Sequence, residues 1–383
     1  MDFDLTDEQR EFRAAVREFA EEVVAPAVAE FDRREEFPLD IVVRMGELGL
    51  FGLPFPERYG GLDGDFVTFC LCLEELARVD SSVAITLEAA VGLGANPIYR
   101  FGTEEQKQRW LVPMCRGQIL GAFALTEPGG GSDAQALRTT ARAEGDEWVI
   151  DGSKAFITNS GSPLSRVCTV AAVTGEPGQI SAILVPTDNP GFTVGPPYRK
   201  IGWHASDTHE VVFSACRVPL GNLLGQEGRG YAQFLETLDD GRIALAALSV
   251  GLARGCLEES VAYAGEREAF GRPIGAFEAL QFKIADMKVA VEIARLAYLR
   301  AAWLKDRARP YKTEAAIAKL YASEAAVTAA REAVQIHGGY GYIEEFPVAR
   351  FYRDAKILEI GEGTSEIQRL LIARDLGLPG TEL

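Results

Sequence analysis

Residues 119–133, ILGAFALTEPGGGSD, divide the chain by texture. The stretch begins as a β-prone run and closes in a glycine-rich loop, with no helical pattern after it. On its N-terminal side apolar residues recur at helical spacing. Phe12, Val16, Phe19 and Val23 make one stripe, and VTFCLCLEELARV, residues 67–79, makes another. Thr103-x-x-Gln106 has the form of a capping box opening a further helix. On its C-terminal side follow EWVIDGSKAFITN (147–159), VCTVAAVT (167–174), ISAILVP (180–186), FTVGP (192–196) and EVVFSACRVP (210–219), short β-rich runs punctuated by Gly, Pro, Asn and Asp. Helical texture returns from Gly230, in segments 231–267, 279–306, 313–336 and 364–376. The expectation is an α+β chain of three domains: helical at 1–118, a mainly antiparallel β-barrel or sandwich of about seven strands at 119–226, and a four-helix bundle at 227–383.

Composition narrows the function. A formal charge of −17 without a Lys/Arg cluster argues against nucleic acid. Six scattered cysteines without a C-x-x-C pair, and three histidines, suggest neither a zinc site nor a disulfide framework. The acidic, amphipathic start MDFDLTDEQREFRAAVREFA lacks the basic and apolar regions of a secretion signal, and no apolar run approaches the roughly 18 residues of a membrane span. A soluble protein of the cytoplasm is expected.

Six stretches invite chemistry. LTEPGGGSD (125–133) is neither a P-loop nor a dinucleotide fingerprint; it reads either as a tight turn or as a loop of backbone N–H groups around an anionic ligand. In KAFITNS (154–160), Phe156 and Thr158 share a strand face that suits a flat ring, or ordinary core. LDDGRIALA (238–246) sets two acids, a glycine and an arginine inside a long helix, where Gly241 costs about 1 kcal/mol against Ala. EREAFGRPI (266–274) and QIHGGYGY (335–342) end helices, and His337 reads equally as a structural residue or a ligand. In EIGEGTSEIQR (359–369) Glu362 stands between two glycines, either a solvated acid in a turn or a carboxylate at the wall of a site. Thr364 or Ser365 caps the helix that follows, and Ser365-x-x-Gln368 fits a capping box.

Taken in order, ALTEPGGGSD, IDGSKAFITN, REAFGRPI, QIHGGYGY and RDAKILEIGEGTSEIQR resemble the acyl-CoA dehydrogenase family of flavoproteins, over about residues 5–378. The resemblance implies FAD, held by Phe123, Leu125, Thr126, Gly131, Ser132, Phe156, Ile157 and Thr158. Arg267, Phe270, Gln281, Gln335, Gly338 and Gly339 would reach a flavin across a subunit interface, with Thr364 and Glu366 as further contacts. Substrate would meet Ser132, Asp239, Asp240, Gly241, Arg242, Gly361 and Gly363. Glu362 matches the catalytic base: it would take the α-proton of an acyl-CoA while the β-hydride passes to flavin N5, giving a trans-2-enoyl-CoA. Its own backbone N–H and a ribityl hydroxyl would polarise the thioester carbonyl. The resemblance further implies a homotetramer that passes electrons to an electron-transferring flavoprotein, in fatty acid metabolism, and no metal.

Gly241-Arg242-Ile243, QFKIADM and RDAKI resemble the short-chain (butyryl) branch; Gly361, where that branch has Tyr, leaves room for a branched or bulkier acyl group. Glu88 would shorten the acyl pocket or bind a polar acyl tail. The alternatives are a member acting on a carrier-protein or polar thioester, an oxygen-using oxidase, and a non-catalytic helical scaffold.

Overall fold

The computed structural model describes residues 4–176 and 178–380. Among the described residues eight α-helices precede the first strand: α1 (Asp7–Phe19), α2 (Ala25–Arg34), α3 (Leu39–Glu47), α4 (Phe66–Val79), α5 (Ser81–Glu88), α6 (Asn96–Phe101), and the short α7 (Glu104–Gln106) and α8 (Val112–Cys115). Wide π-turns at Ala20–Val24, Ala89–Ala95 and Lys107–Leu111 join three consecutive pairs of them without a break. The α1 stripe is amphipathic as read: Val16 and Phe19 are buried, and Phe12 and Val23 pack at the edge of the same core. Helix α4 is buried nearly all round, its acids Glu74 and Glu75 included. The Thr103–Gln106 capping box forms, each side-chain oxygen accepting from the other residue's backbone N–H.

One eight-stranded mixed sheet follows, built from β1 (Leu120–Ala124), β2 (Thr140–Glu144), β3 (Glu147–Thr158), β4 (Ser165–Val173), β5 (Ile180–Pro186), β6 (Phe192–Pro197), β7 (Thr208–Pro219) and β8 (Leu223–Leu224). Its order is β6-β7-β3-β2-β4-β5-β8, with β1 alongside β4. Most pairs are antiparallel, but β1 and β2 each run parallel to β4, which the run-by-run reading does not reveal. The reason lies in connectivity. The chain leaves β1 through the glycine-rich loop and the β2–β3 hairpin before β4 returns in the same direction. Strands β4 and β5 are buried on both faces. Val167, Ala171, Ile180, Ala182 and Leu184 join the helical core, while Cys168, Val170, Ala172, Ile183 and Val185 fill the sheet's own core. The two-residue alternation of a strand thus fastens the sheet to the helices.

The C-terminal bundle comprises α9 (Gly230–Glu266), α10 (Glu278–Asp306), α11 (Lys312–His337), α12 (Pro347–Leu358) and α13 (Ser365–Asp375). Four of these match the expected segments; α12 is an addition, opened by Pro347 at its first turn and capped on either side by glycine-rich turns that hide its short period. A small ribbon, β9 (Glu268–Ala269) with β10 (Arg272–Pro273), projects after α9. Helices α4 and α9 approach so closely that a Cβ on Gly251 would lie 2.4 Å from the Glu74 carbonyl oxygen. Among the described residues no helix is long and apolar enough to cross a membrane.

Candidate active site

The turn between α12 and α13 carries Glu362 in the left-handed region, at φ 55°, followed by Gly363 at φ 97°. A non-glycine residue there is uncommon and costs about 1–3 kcal/mol. Side chains hold it in place. Lys319 Nζ on α11 donates to the Gly363 carbonyl at 2.8 Å, and Gln368 Nε2 donates to the Glu362 and Gly363 carbonyls at 3.3 and 2.9 Å. Of the two cap candidates, Thr364 is the N-cap of α13, its Oγ1 accepting from Ile367 N–H at 3.3 Å. The Ser365–Gln368 capping box does not form: Thr364 is the cap, and the Ser365 N–H donates to the Glu359 carbonyl at 3.0 Å.

The Glu362 carboxylate points inward. Both its oxygens are buried and, among the described residues, without a hydrogen-bond partner. Gly241 of α9 lies beneath it: a Cβ at that position would stand 2.2 Å from Glu362 Oε2, so the helix has a glycine where the acid rests. Glu88, at the end of α5, is fully buried, and its two oxygens are likewise unpartnered. Burial pushes the Glu362 carboxyl up to about 7, against the opposing pull of the Glu88 carboxyl, Lys319 and Arg242. Glu88 is pushed well above the carboxylate range by burial and by the Glu362 charge beside it. The charge of Glu362 thus disfavours ionisation of the second acid beside it.

The acids of LDDGR divide between two clusters. Asp239 receives Arg242 Nη1 and, at 3.1 Å, Lys312 Nζ. Asp240 faces away into a cluster with Asn96 Nδ2 at 3.0 Å, Lys305 Nζ at 2.9 Å, Arg100 and the Tyr311 hydroxyl. Gly241, Arg242, Gly361 and Gly363 therefore gather around Glu362, while Asp240 is engaged in joining α9 to α6 and α10.

The glycine-rich loop is fastened at its base. Glu127 accepts from the backbone N–H of Arg138 and Thr139 at 2.7 and 2.9 Å, and from Lys154 Nζ at 2.8 Å. Lys154 is fully buried on β3 and also donates to the Leu125 carbonyl at 3.2 Å. Burial lowers this lysine to about 8, with Glu127 opposing. Leu125 is buried, Thr126 lends its carbonyl to Ala155 N–H, and Gly131 and Ser132 lie exposed at the loop's tip. Phe123 packs on Phe234 of α9 with ring centroids 4.3 Å apart. In β3 a bulge between Lys154 and Ile157 turns Phe156 outward at φ 61°, leaving it 65 % exposed. Thr158 is half-buried two residues on, whereas the Ile157 side chain belongs to the sheet core. An exposed ring held in a strained conformation, next to a loop rich in N–H groups, fits one end of a flat, phosphate-bearing cofactor.

The remaining cofactor candidates sit elsewhere. Arg267 ends α9 and lies over the Tyr340 ring at 5.6 Å. It borders a cleft of about 620 Å³ that Gly338 and Gly339 also line. His337 lines the same cleft, stacks on Tyr263 at 4.2 Å and contacts the Ala333 carbonyl through Nδ1. Phe270, at φ 54° on the ribbon tip, is 95 % exposed, Gln281 Nε2 donates to the Gly275 carbonyl, and Gln335 is exposed. Glu366 is exposed on the first turn of α13. From Gly241 to Arg267 the single helix α9 runs 26 residues, roughly 39 Å at 1.5 Å per residue. The motif reading assigns no role to Lys154 or Lys319, and gives Gln368 only that of a capping-box residue. Lys319 alone carried a visible signal, as an isolated lysine in the alanine-rich segment AAIAKLYA.

The middle and both flanking regions match described families: the acyl-CoA dehydrogenase N-terminal domain at residues 6–118, middle domain at 122–216 and C-terminal domain at 228–377. The chain is 52 % identical over 380 residues to the probable acyl-CoA dehydrogenase YngJ of Bacillus subtilis, covering 98 % of this chain and all of that one. Among solved structures it is similar to the butyryl-CoA dehydrogenase of Megasphaera elsdenii, at TM-score 0.96 and 44 % identity, covering 98 % of this chain and 100 % of that one. It is also similar to a glutaryl-CoA dehydrogenase of Mycobacterium smegmatis solved with FADH2, at TM-score 0.93 and 32 % identity, covering 97 % and 95 %.

Proposed function

The chain belongs to the acyl-CoA dehydrogenase family of FAD-dependent oxidoreductases, and on that premise we propose that it desaturates a short- or branched-chain acyl-CoA at the α,β-bond with Glu362 as the base. The observation that carries this reading is the Glu362 carboxylate, buried and unpartnered, with a pKa near 7 and a glycine cut out of the facing helix to receive it. A general base is most effective when its pKa lies near the working pH.

The residues of the chain divide the work. The Phe156 ring and Thr158 would hold the flavin, with the loop from Leu125 to Ser132 around its polar end. FAD, when bound, supplies the acceptor for the β-hydride. The Glu362 N–H is the donor this reading assigns to the thioester carbonyl, where charge grows as the α-proton leaves. Glu362 takes that proton into a pocket that excludes water. Arg242 and Lys319 add positive charge around the same spot, and Glu88, held toward its neutral form by burial, closes the acyl end with a polar wall. Gly361 leaves space above the acyl chain for a branch.

The length of α9 supports an assembly. A flavin whose ring lies by Phe156 and Glu362 is far from the cleft at Arg267, so that cleft would serve the flavin of a neighbouring subunit. The outer face of α10 presents Phe282, Val289, Ile293, Leu296 and Trp303 to solvent at heptad-like spacing, as an association surface does. A homotetramer in the cytoplasm, passing electrons to an electron-transferring flavoprotein, completes the reading.

The test is anaerobic mixing of the yellow protein with butyryl-, isobutyryl-, 2-methylbutyryl-, isovaleryl-, octanoyl- and dicarboxylic acyl-CoAs. Bleaching of the flavin band at ~450 nm is followed. One short or branched thioester is expected to bleach it, and Glu362→Gln to slow that bleaching about 10²–10⁴-fold. Equal rates in Glu362→Gln and wild type would sink the assignment of the base.

A further inference from the structure

Lys319 is one of the largest fully buried side chains, on the inner face of α11. Its ammonium donates to the Gly363 carbonyl at 2.8 Å, and among the described residues it has no ion-pair partner. The other fully buried lysine, Lys154, is paired with Glu127 at 2.8 Å. An unpaired buried cation is costly, and a stability role alone would be served as well by an apolar side chain. What Lys319 does have is a position. It grips the carbonyl immediately after Glu362, in the turn where Glu362 adopts a left-handed backbone.

We propose that Lys319 is a positioning residue for proton abstraction: it clamps the Gly361–Glu362–Gly363 turn from behind and sets a positive field at the Glu362 carboxylate. The inference rests on Glu362 being the base. Charged and titratable groups face this pair from each packed element. Glu88 comes from α5, Arg242 from α9, Glu359 from the end of α12 and Glu366 from α13. After burial, which lowers Lys319 to about 8, the Glu362 charge is the strongest influence on it, and Lys319 in turn draws the Glu362 carboxyl downward. Without that field the burial of Glu362 would go less opposed. The acid would then hold its proton at the pH where it must accept one.

Two variants separate clamp from charge. Lys319→Gln keeps a donor for the Gly363 carbonyl and loses the charge; Lys319→Met loses both. The holoenzyme of each, with flavin content measured, is mixed anaerobically across pH 5.5–9 with the acyl-CoA that bleaches wild type. The acid limb of the bleaching rate is expected to move up by about one pH unit in both, which is about tenfold slower at pH 6. The difference should vanish above pH 8, where the wild-type lysine itself loses its proton. A second readout needs no turnover: the carboxyl infrared band of Glu362, isolated by subtracting Glu362→Gln, should titrate at higher pH in both variants. Lys319→Met adds disorder of the turn and a further fall in the plateau rate. Flavin-replete variants with the wild-type acid limb and infrared titration would overturn the role of Lys319. If that happens while Glu362→Gln is inactive, the base stands and only Lys319 falls. If Glu362→Gln bleaches like wild type, both fall.

Discussion

Gly241 and Glu362 lie 121 positions apart in sequence and meet where a Cβ on the glycine would overlap the carboxylate oxygen at 2.2 Å. Gly241→Ala is therefore informative. In a helix interior the substitution favours folding by up to about 1 kcal/mol, and the atom it strikes is the free end of a flexible side chain. Thermal stability should stay within a few degrees of wild type, while flavin bleaching slows at least about tenfold, because the acid is pushed off its resting place. Stability and rate falling together would show that the site collapses instead. The motif reading found the oddity of a glycine between Asp240 and Arg242, but not its cause. Spacing along one helix says nothing of which residue on another helix fills the gap. Glu88 is the same case. Its sequence neighbours mark an ordinary buried helix, and only the fold shows that its carboxyl is buried beside the charge of another acid.

At the scale of elements, strand β3 and the loop before β2 form one device. The bulge that turns Phe156 out, and the Glu127–Lys154 pair that ties the loop's base to the strand, set the ring and the N–H-rich tip relative to each other. Breaking a buried ion pair by removing one partner costs about 3–5 kcal/mol where the other is left unsatisfied. Glu127 keeps its two backbone donors, so the loss in Lys154→Met should fall below that range. The expected result is a protein that folds but releases FAD roughly ten- to a hundredfold more readily, read as flavin lost on gel filtration and regained with added FAD. Retention equal to wild type would mean that the loop does not depend on the pair. The alternation of Phe156 and Thr158 was legible, since a strand's period of two needs no partner to be seen. The parallel entry of β1 and the fifth bundle helix were not. The first depends on which strand lies next in space, and the second is a 12-residue period squeezed between a glycine-rich turn and the Glu362 turn.

For the molecule as a whole, the buried acids bear on stability as well as chemistry. Asp80 caps α5 at the junction where Arg350 and Asp354 of α12 meet the N-terminal helices, and burial raises it to about 7 despite Arg350. Glu362 lies at about 7, and burial raises Glu88 well above its ordinary value. Unfolded, all three titrate near 4. Between that value and pH 7 the folded protein therefore binds more protons than the unfolded chain, and stability falls as pH rises through the window. Glu75 works the other way. Burial would raise it, but Arg17, Arg254 and Arg13 hold it to about 2, so its contribution is present above about pH 4.5 and is lost only in acid. The formal charge of −17 adds repulsion that also grows with pH. The holoenzyme, at fixed free FAD and from pH 5.5, clear of the pI near 4.8, up to pH 8, should lose a few kcal/mol of unfolding free energy in urea. The slope should flatten in Glu362→Gln, where one of the raised groups is gone. A free energy that is constant or climbs over that range would mean that these acids are ionised in the folded protein, and with them the poise of Glu362 near neutrality would go.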